Sequence, residues 1–431
     1  MGLGIRVRGR PDRIRISMTN EYDIAVIGAG AAGTMAAIRS SQLNKKVVLI
    51  ERNDSIGKKI LMTGKGRCNI TNSAPVDTFI EKFGRQGNFL RSAFFAFFND
   101  DLIDFFRSKG LEMKVERQGR VFPATDSARS ITEVLARYLS ENHVDIRYNT
   151  RVSNLKQKKE CFELGLEPGG ILRAKKVILA TGGASYKSTG STGDGFCIAE
   201  GLGHVVVPLK AALVPLKTME PWVKDLQGLS LENVRILFEC GKKKITSSVG
   251  ELIFTHFGVS GPLVLDMSGD MVAMLEGHKE ARLFIDLKPG LKPEQLESKL
   301  MHKFSIKGTT AIKNLLKDLL PLRLIDVFIR LLDIGPNTRA SQITQKVRRS
   351  LVSLLKAFPL TITGPLPLEE AMVTAGGVAT RQIDPRTMES KIVPGLYFAG
   401  EIIEGAASSG GYNLQQAFST GYLAGEKAAH A

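Results

Sequence analysis

Residues 22–51, YDIAVIGAGAAGTMAAIRSSQLNKKVVLIE, contain a strand, a glycine turn, a helix, a second strand and an acid in unbroken order. Tyr22 to Ile27 is a continuous apolar, β-branched run, the pattern of a strand buried on both faces. The turn Gly28-Ala29-Gly30-Ala31-Ala32-Gly33 follows at GxGxxG spacing, and the small residues after it predict a helix at once. Gly28 permits the tight turn, Gly30 lets backbone approach a pyrophosphate, and Gly33 lets the helix sit close on the sheet. The helix N-terminus offers free N–H groups and partial positive charge to that pyrophosphate. Glu51 ends the second strand 23 residues beyond Gly28, where an acid accepts hydrogen bonds from an adenosine ribose. A lone GxGxxG is a weak signal, but all five parts in order predict a parallel α/β domain that holds a dinucleotide. The segment does not separate NAD from FAD.

Two later strands separate them. Val177 to Ala180 ends in Thr181-Gly182-Gly183, and Leu396 to Ala399 ends in Gly400-Glu401 before a glycine-rich turn, SSGGYN, and a long final helix. Neither belongs to a second acid-terminated βαβ unit. One nucleotide fold rebuilt from early, middle and final segments resembles the FAD-dependent oxidoreductases of the glutathione-reductase type. The chain also carries GKKILMTGKGRCNITN (57–72), RQGRVFPATDSA (117–128), ATGGASYKSTGSTGDGFCIAEGLGH (180–204), GELIFTHFGVSGP (250–262), VTAGGVAT (373–380) and GGYNLQQAFSTG (410–421). In these pieces, and in their order, it resembles the flavoprotein family that groups aminoacetone oxidase with the bile-acid-inducible enoyl reductase BaiN. One departure is IIEGAASSGGYN (402–413), where the family usually has an Asp-rich LDxDGxTGGYN, so substrate identity is open if that loop lines the pocket.

The resemblance implies FAD as the tightly held cofactor and a redox reaction at flavin N5, either amine oxidation or reduction of an enone C=C bond. It places cofactor contacts at Gly28, Ala29, Gly30, Ala31, Ala32, Gly33, Glu51 and Arg52. It continues them through Lys59, Thr63, Gly64, Gly66, Arg67, Cys68 and Asn69, the run from pyrophosphate toward flavin. Val152, Ala180, Thr181, Gly182, Gly400, Glu401, Gly411, Asn413 and Gln415 complete the set. His256, between aromatic residues after a strand, is either a backbone-bonded structural histidine or a proton shuttle. Tyr412 stands where it would lie over the flavin ring. Cys68 is read first as a neighbour of the cofactor grip; the lesser reading is a catalytic thiolate whose pKa Lys65 and Arg67 would lower, though no resolving cysteine is near. With no second GxGxxG unit, electrons pass through oxygen or a transiently docked NAD(P)H.

At 431 residues the chain is long enough for several domains. The expected division is a disordered basic extension over 1–17, an FAD domain over 18–205 and 365–431, a barrel-like β module over 206–290 and 358–364, and a helical module over 291–357. The net charge of +16 raises nucleic acid as a partner. The extension supplies +4 of it, and runs such as KQKK (156–159) and GKKK (241–244) read as solvated surface. The basic helix over 340–356 reads the same way, so a small-molecule substrate is expected, with a tRNA-modifying enzyme and a non-catalytic redox sensor as alternatives. Four dispersed cysteines exclude a CxxC metal site and fit a reducing cytoplasm. No apolar run is long enough to span a membrane. Oligomeric state is not legible.

Overall fold

The computed structural model describes residues 21–431; the expected basic extension lies outside the described residues. The first strand, β1 (Glu21–Ile27), runs parallel to β2 (Val47–Ile50) on one side and to β3 (Ile171–Leu179) on the other. Every residue of β2 is buried, as its unbroken VVLI requires. The end of β3 also pairs in parallel with the last strand, β4 (Leu396–Phe398). Early, middle and late segments therefore meet in one seven-stranded sheet. The sheet is completed by Asp145–Arg147 beside β2 and by an antiparallel meander of Arg151–Gln157 and Phe162–Glu167 beside β3.

Helix α1 (Ala31–Gln42) leaves the β1 turn and lies along the last helix, α4 (Tyr412–His430). Their contact is made by glycine. A Cβ on Gly421 would sit 2.3 Å from the Ala32 carbonyl oxygen, and one on Gly425 would sit 2.5 Å from that of Ala36. Ser40 Oγ donates to the Gly425 carbonyl oxygen at 2.9 Å. Only side-chain-free backbone allows this approach, so the segment that opens the fold is held by the segment that ends it.

Residues 213–366 leave this domain and return to it. Six strands, 230–240, 250–254, 258–260, 216–218, 358–365 and 281–286, pair in that order, and 281–286 pairs back onto 230–240. The ring closes into a barrel with no free edge among those six, and Lys243–Thr246 hangs from it as a seventh strand. Within the barrel's sequence, the excursion 293–356 forms four helices, among them α2 (Leu322–Leu332) and α3 (Gln345–Lys356). They share one apolar core with the barrel, where Phe328 stacks on Phe358 with centroids 5.3 Å apart. Residues 206–212 pair with 373–378 as a separate two-stranded ribbon, which carries the chain out and back.

Most of the phenylalanine-rich stretch from 89 onward packs as core, Phe94 and Phe98 meeting Phe79 edge to face beside Tyr412, while Phe95 stays exposed. At the start of the helix Asn99–Arg107, Asp101 accepts from the Phe98 N–H, while Asn99 Nδ2 ties down the carbonyls of Asn72 and Ala74.

Candidate active site

A long cavity opens where β1, β3 and β4 end, walled by the turn after each strand and by α4. At one end stands Glu51, 7% exposed. Its Oε2 accepts from the Ala29 N–H at 2.7 Å and its Oε1 from the backbone and side chain of Asn53, so the carboxylate is locked to the first turn. Gly28 has φ +99°, and a Cβ there would lie 2.6 Å from the Ala180 carbonyl oxygen; a Cβ on Gly33 would lie 1.8 Å from that of Gly28. Gly30 is different: nothing stands within 4 Å of where its Cβ would be, and it lines the cavity. Helix α1 has neither a capping side chain nor an acid in its first turn, so its N-terminal N–H groups stay available to a ligand. This cradle fits a pyrophosphate, with Glu51 as partner for a ribose.

Beside Glu51, Arg52 donates to Thr192 Oγ1 and to Asp194 at 3.0 Å, and Arg151 donates to the same Asp194 carboxylate at 2.7 Å. The Arg151 hydrogen bond holds the Asp194 carboxyl below the usual range despite partial burial. At the other end, Lys59 Nζ lies 2.6 Å from Glu401 Oε2 and 2.9 Å from Ser185 Oγ, while Glu401 Oε1 accepts from the Thr374 N–H. Met372, Val373, Leu414 and Ala417 supply apolar wall there, with Thr63 and Asn413 as its neutral polar groups. Asn413 also clamps the 404–411 loop, accepting from the Ala407 N–H and donating to its carbonyl. Acid-terminated strands at both ends of one groove suit an extended FAD.

Of the expected residues, the cavity wall includes Gly28 through Ala32, Glu51, Arg52, Lys59, Thr63, Val152, Ala180, Thr181, Gly182, Gly400, Glu401 and Asn413. Gly33 acts through helix packing. Gly64 and Gly66 take left-handed backbone (φ +57° and +83°) just behind Thr63. Gly411 (φ +99°) starts α4, packed so tightly that a Cβ would meet the Thr71 carbonyl oxygen at 2.2 Å.

Several residues lie off the wall. Arg67 turns away, bonded to Glu116 and Asp126 with its guanidinium over Phe122. It therefore does not activate Cys68, whose thiol is fully buried and pushed up to about 11 by desolvation, against a smaller lowering by Thr63. The expectation of a lowered thiol pKa is overturned. Asn69 points its Oδ1 into a buried, unpartnered position. Gln415 faces inward to the Phe97 carbonyl and Ser419; the neighbouring Gln416 lines the cavity instead and donates to the Gly400 carbonyl. Tyr412 is buried against Phe79, and burial raises its pKa, with Asp266 adding to the shift. His256 is exposed in the turn between two barrel strands, edge-on to Phe257, and is not part of the cavity wall.

The residues missed from sequence are Asn53, Arg151, Asp194, Ser185 and Thr374. The STGSTGDG run was a usable signal for Asp194, since hydroxyls and glycines crowd the start of a helix there. The pairing of Arg151 with it joins residues 43 apart and leaves no local pattern. Among the described residues no cluster of potential metal ligands occurs, and no helix is long and apolar enough to cross a membrane.

Known proteins match this arrangement. A family model described as HI0933-like protein Rossmann domain matches residues 22–427. The chain is 33% identical over 408 residues to the 3-dehydro-bile acid delta(4,6)-reductase of Clostridium scindens, covering 94% of this chain and 98% of that protein. It is also 33% identical over 414 residues to the ribosomal RNA dihydrouridine synthase of Escherichia coli, covering 93% and 96%. Among solved structures, 3-ketosteroid delta1-dehydrogenase from Sterolibacterium denitrificans aligns with a TM-score of 0.52 at 15% identity, over 96% of this chain and all of that one. At that identity the likeness speaks for the fold alone.

Proposed function

This chain belongs to the HI0933-like Rossmann family of FAD-dependent oxidoreductases, and from that premise we propose that it reduces a C=C bond conjugated to a carbonyl. The observation that carries the choice is Lys59, an ammonium held by Glu401 and Ser185 at the end of the cavity that Met372, Val373, Leu414 and Ala417 line. An enone develops negative charge on its oxygen as it is reduced, and the Lys59 ammonium is a hydrogen-bond donor for that charge. Bound FAD would supply the hydride that goes to the carbon β to the carbonyl. Lys59 Nζ, fixed between Ser185 and Glu401, would stabilise the developing oxyanion. Glu401, locked by the Thr374 N–H, would keep the Lys59 ammonium oriented. The apolar wall would keep water from the reacting carbon. The electron pair comes from NAD(P)H docking transiently, and a proton from solvent completes the saturated product.

The two relatives' names support the same chemistry: one reduces a steroid-type unsaturated system, and dihydrouridine is uridine with its carbonyl-conjugated C5=C6 bond reduced. A free cyclic enone is the first reading of the substrate. A uracil ring carried on RNA is the second, favoured by the net charge of +16. Four free cysteines fit a reducing cytoplasm as the setting.

The test is anaerobic stopped flow on the FAD-loaded protein. Reduced flavin should be reoxidised by cyclic enones, with product two mass units heavier, and oxidised flavin should not be bleached by primary amines. Bleaching by amines without reoxidation by any enone or uracil compound would refute the proposal.

A further inference from the structure

The positive charge of the chain is not spread evenly. Residues 291–357 contain thirteen Lys and Arg against five Asp and Glu, a net +8 and half of the chain's +16. Three of those acids are already occupied within the module: Asp318 by Lys303 at 2.5 Å, Asp326 by Lys313 at 2.9 Å, and Glu297 by Arg348 at 3.5 Å. Two of the remaining cations, Lys346 and Arg349, project from a concave face between α2 and α3. Lys346, Arg349, Ser350 and Ser353 recur at i, i+3, i+4 and i+7 along α3, all exposed, with Gln345 and Leu331 completing the groove. Arg349 is only loosely held, 3.9 Å from Glu297. Nothing in the cavity chemistry uses this face, which belongs to a different core from the FAD sheet.

We propose that this groove docks the sugar-phosphate backbone of an RNA, through Lys346 and Arg349 as phosphate cations and Ser350, Ser353 and Gln345 as neutral donors. Cations interleaved with hydroxyl and amide donors are the usual composition of a phosphate-contacting surface, which positions a nucleic acid without reading its sequence. A solvated helix face needs no groove and gains nothing from a surplus of eight like charges. An anionic membrane would be met by basic residues flanking an apolar ridge, whereas this face has one exposed leucine among polar groups. The proposal goes beyond the reductase reading and rests on it only for the reason to bind: an RNA is what carries a uracil ring to be reduced.

The experiment uses the FAD-loaded full chain and a uridine-containing stem-loop RNA, with affinity measured by fluorescence anisotropy across a KCl series. Lys346→Glu/Arg349→Glu is compared with Lys242→Glu/Lys243→Glu, an equal charge change in an exposed turn of the barrel. The groove variant should bind at least tenfold more weakly near 0.1 M salt, and its log–log salt slope should fall by roughly 0.7–0.9 for each phosphate it no longer neutralises. The turn variant should change affinity less than about threefold, and flavin content should be equal in all three proteins, which shows that each is folded. Equal losses in both variants, an unchanged groove variant, or tighter binding to phosphatidylglycerol vesicles than to RNA would overturn the proposal. Reoxidation by cyclohex-2-enone, measured in the same proteins, separates the two claims: turnover without RNA binding removes the docking surface and leaves the reaction. Groove-dependent RNA binding without any reduced double bond supports the docking surface and removes the reaction.

Discussion

Replacing Gly421 by alanine isolates what the contact between the first and last helices is worth. In an exposed helix interior this change stabilises by about 1 kcal/mol, because alanine restricts the unfolded chain and favours helix. At Gly421 the new methyl would stand 2.3 Å from the Ala32 carbonyl oxygen and 3.0 Å from its carbonyl carbon and Cα. The obstacle is backbone in the middle of α1, so the helices themselves must part. Overpacking of this kind costs about 1–3 kcal/mol, and more when backbone must move. The propensity gain is outweighed, and Gly421→Ala is expected to destabilise by about 1–2 kcal/mol net. The internal control is Gly269, inside the helix Pro262–Leu275, where nothing lies within 4 Å of the added methyl. There the same substitution should stabilise by up to about 1 kcal/mol. Thermal unfolding of the FAD-loaded protein, followed by flavin fluorescence and by circular dichroism, reads both. Shifts of roughly 2–4 °C per kcal/mol are expected for domains of this size, downward for Gly421→Ala and upward for Gly269→Ala. Flavin release should move with the first variant and not with the second, since Gly269 belongs to the barrel unit. If Gly421→Ala raises the flavin-release temperature, the helices do not meet through bare backbone and the reasoning fails.

Glu51→Ala removes the carboxylate that fixes Ala29 and Asn53, and should weaken FAD binding at least tenfold, given about 1.5–3 kcal/mol for hydrogen bonds to a charged group; flavin fluorescence titration measures it. The Cys68 thiol, held at about 11 against an ordinary 9.0, binds its proton more tightly folded than unfolded. Its contribution, roughly 2–3 kcal/mol, is therefore complete below pH 9 and lost as pH rises through 11; Cys68→Ser should flatten that alkaline decline in urea unfolding, and at pH 7.5 iodoacetamide should label exposed Cys197 well before Cys68. Lys59→Gln should slow enone-driven flavin reoxidation by roughly 10²-fold, while His256→Ala should leave it within about twofold; a hundredfold loss in the histidine variant would reinstate it as the proton shuttle.

The cradle was legible because its constraints are local. A tight turn, a close approach and a helix packed on a sheet each demand glycine at a fixed offset, and Glu51 follows at the end of the next strand. The meeting of β3 and β4 was legible from their shared shape, an apolar run ending in glycine. What stayed hidden depends on rotation or on distance. Gln415 and Gln416 differ by about 100° around α4, and neither residue type says which face is inward. Arg67 was expected at the cofactor because the family resemblance implies it; the acids that claim it, Glu116 and Asp126, come from a separate hairpin about fifty residues on. The barrel-like module was expected from its alternating strands, but its strand order was not legible, since alternation marks strands and not which strand pairs with which.

The glycine seam between α1 and α4 also sets an order of events during synthesis. The barrel and its helices occupy one uninterrupted stretch, made after the nucleotide turn and before β4 and α4. The nucleotide turn therefore has no β4 beside β3 and no helix against α1 until residues 396–430 have followed the barrel. The cradle is thus completed only after the barrel has been made, and a chain cut before residue 396 would lack both β4 and the glycine seam.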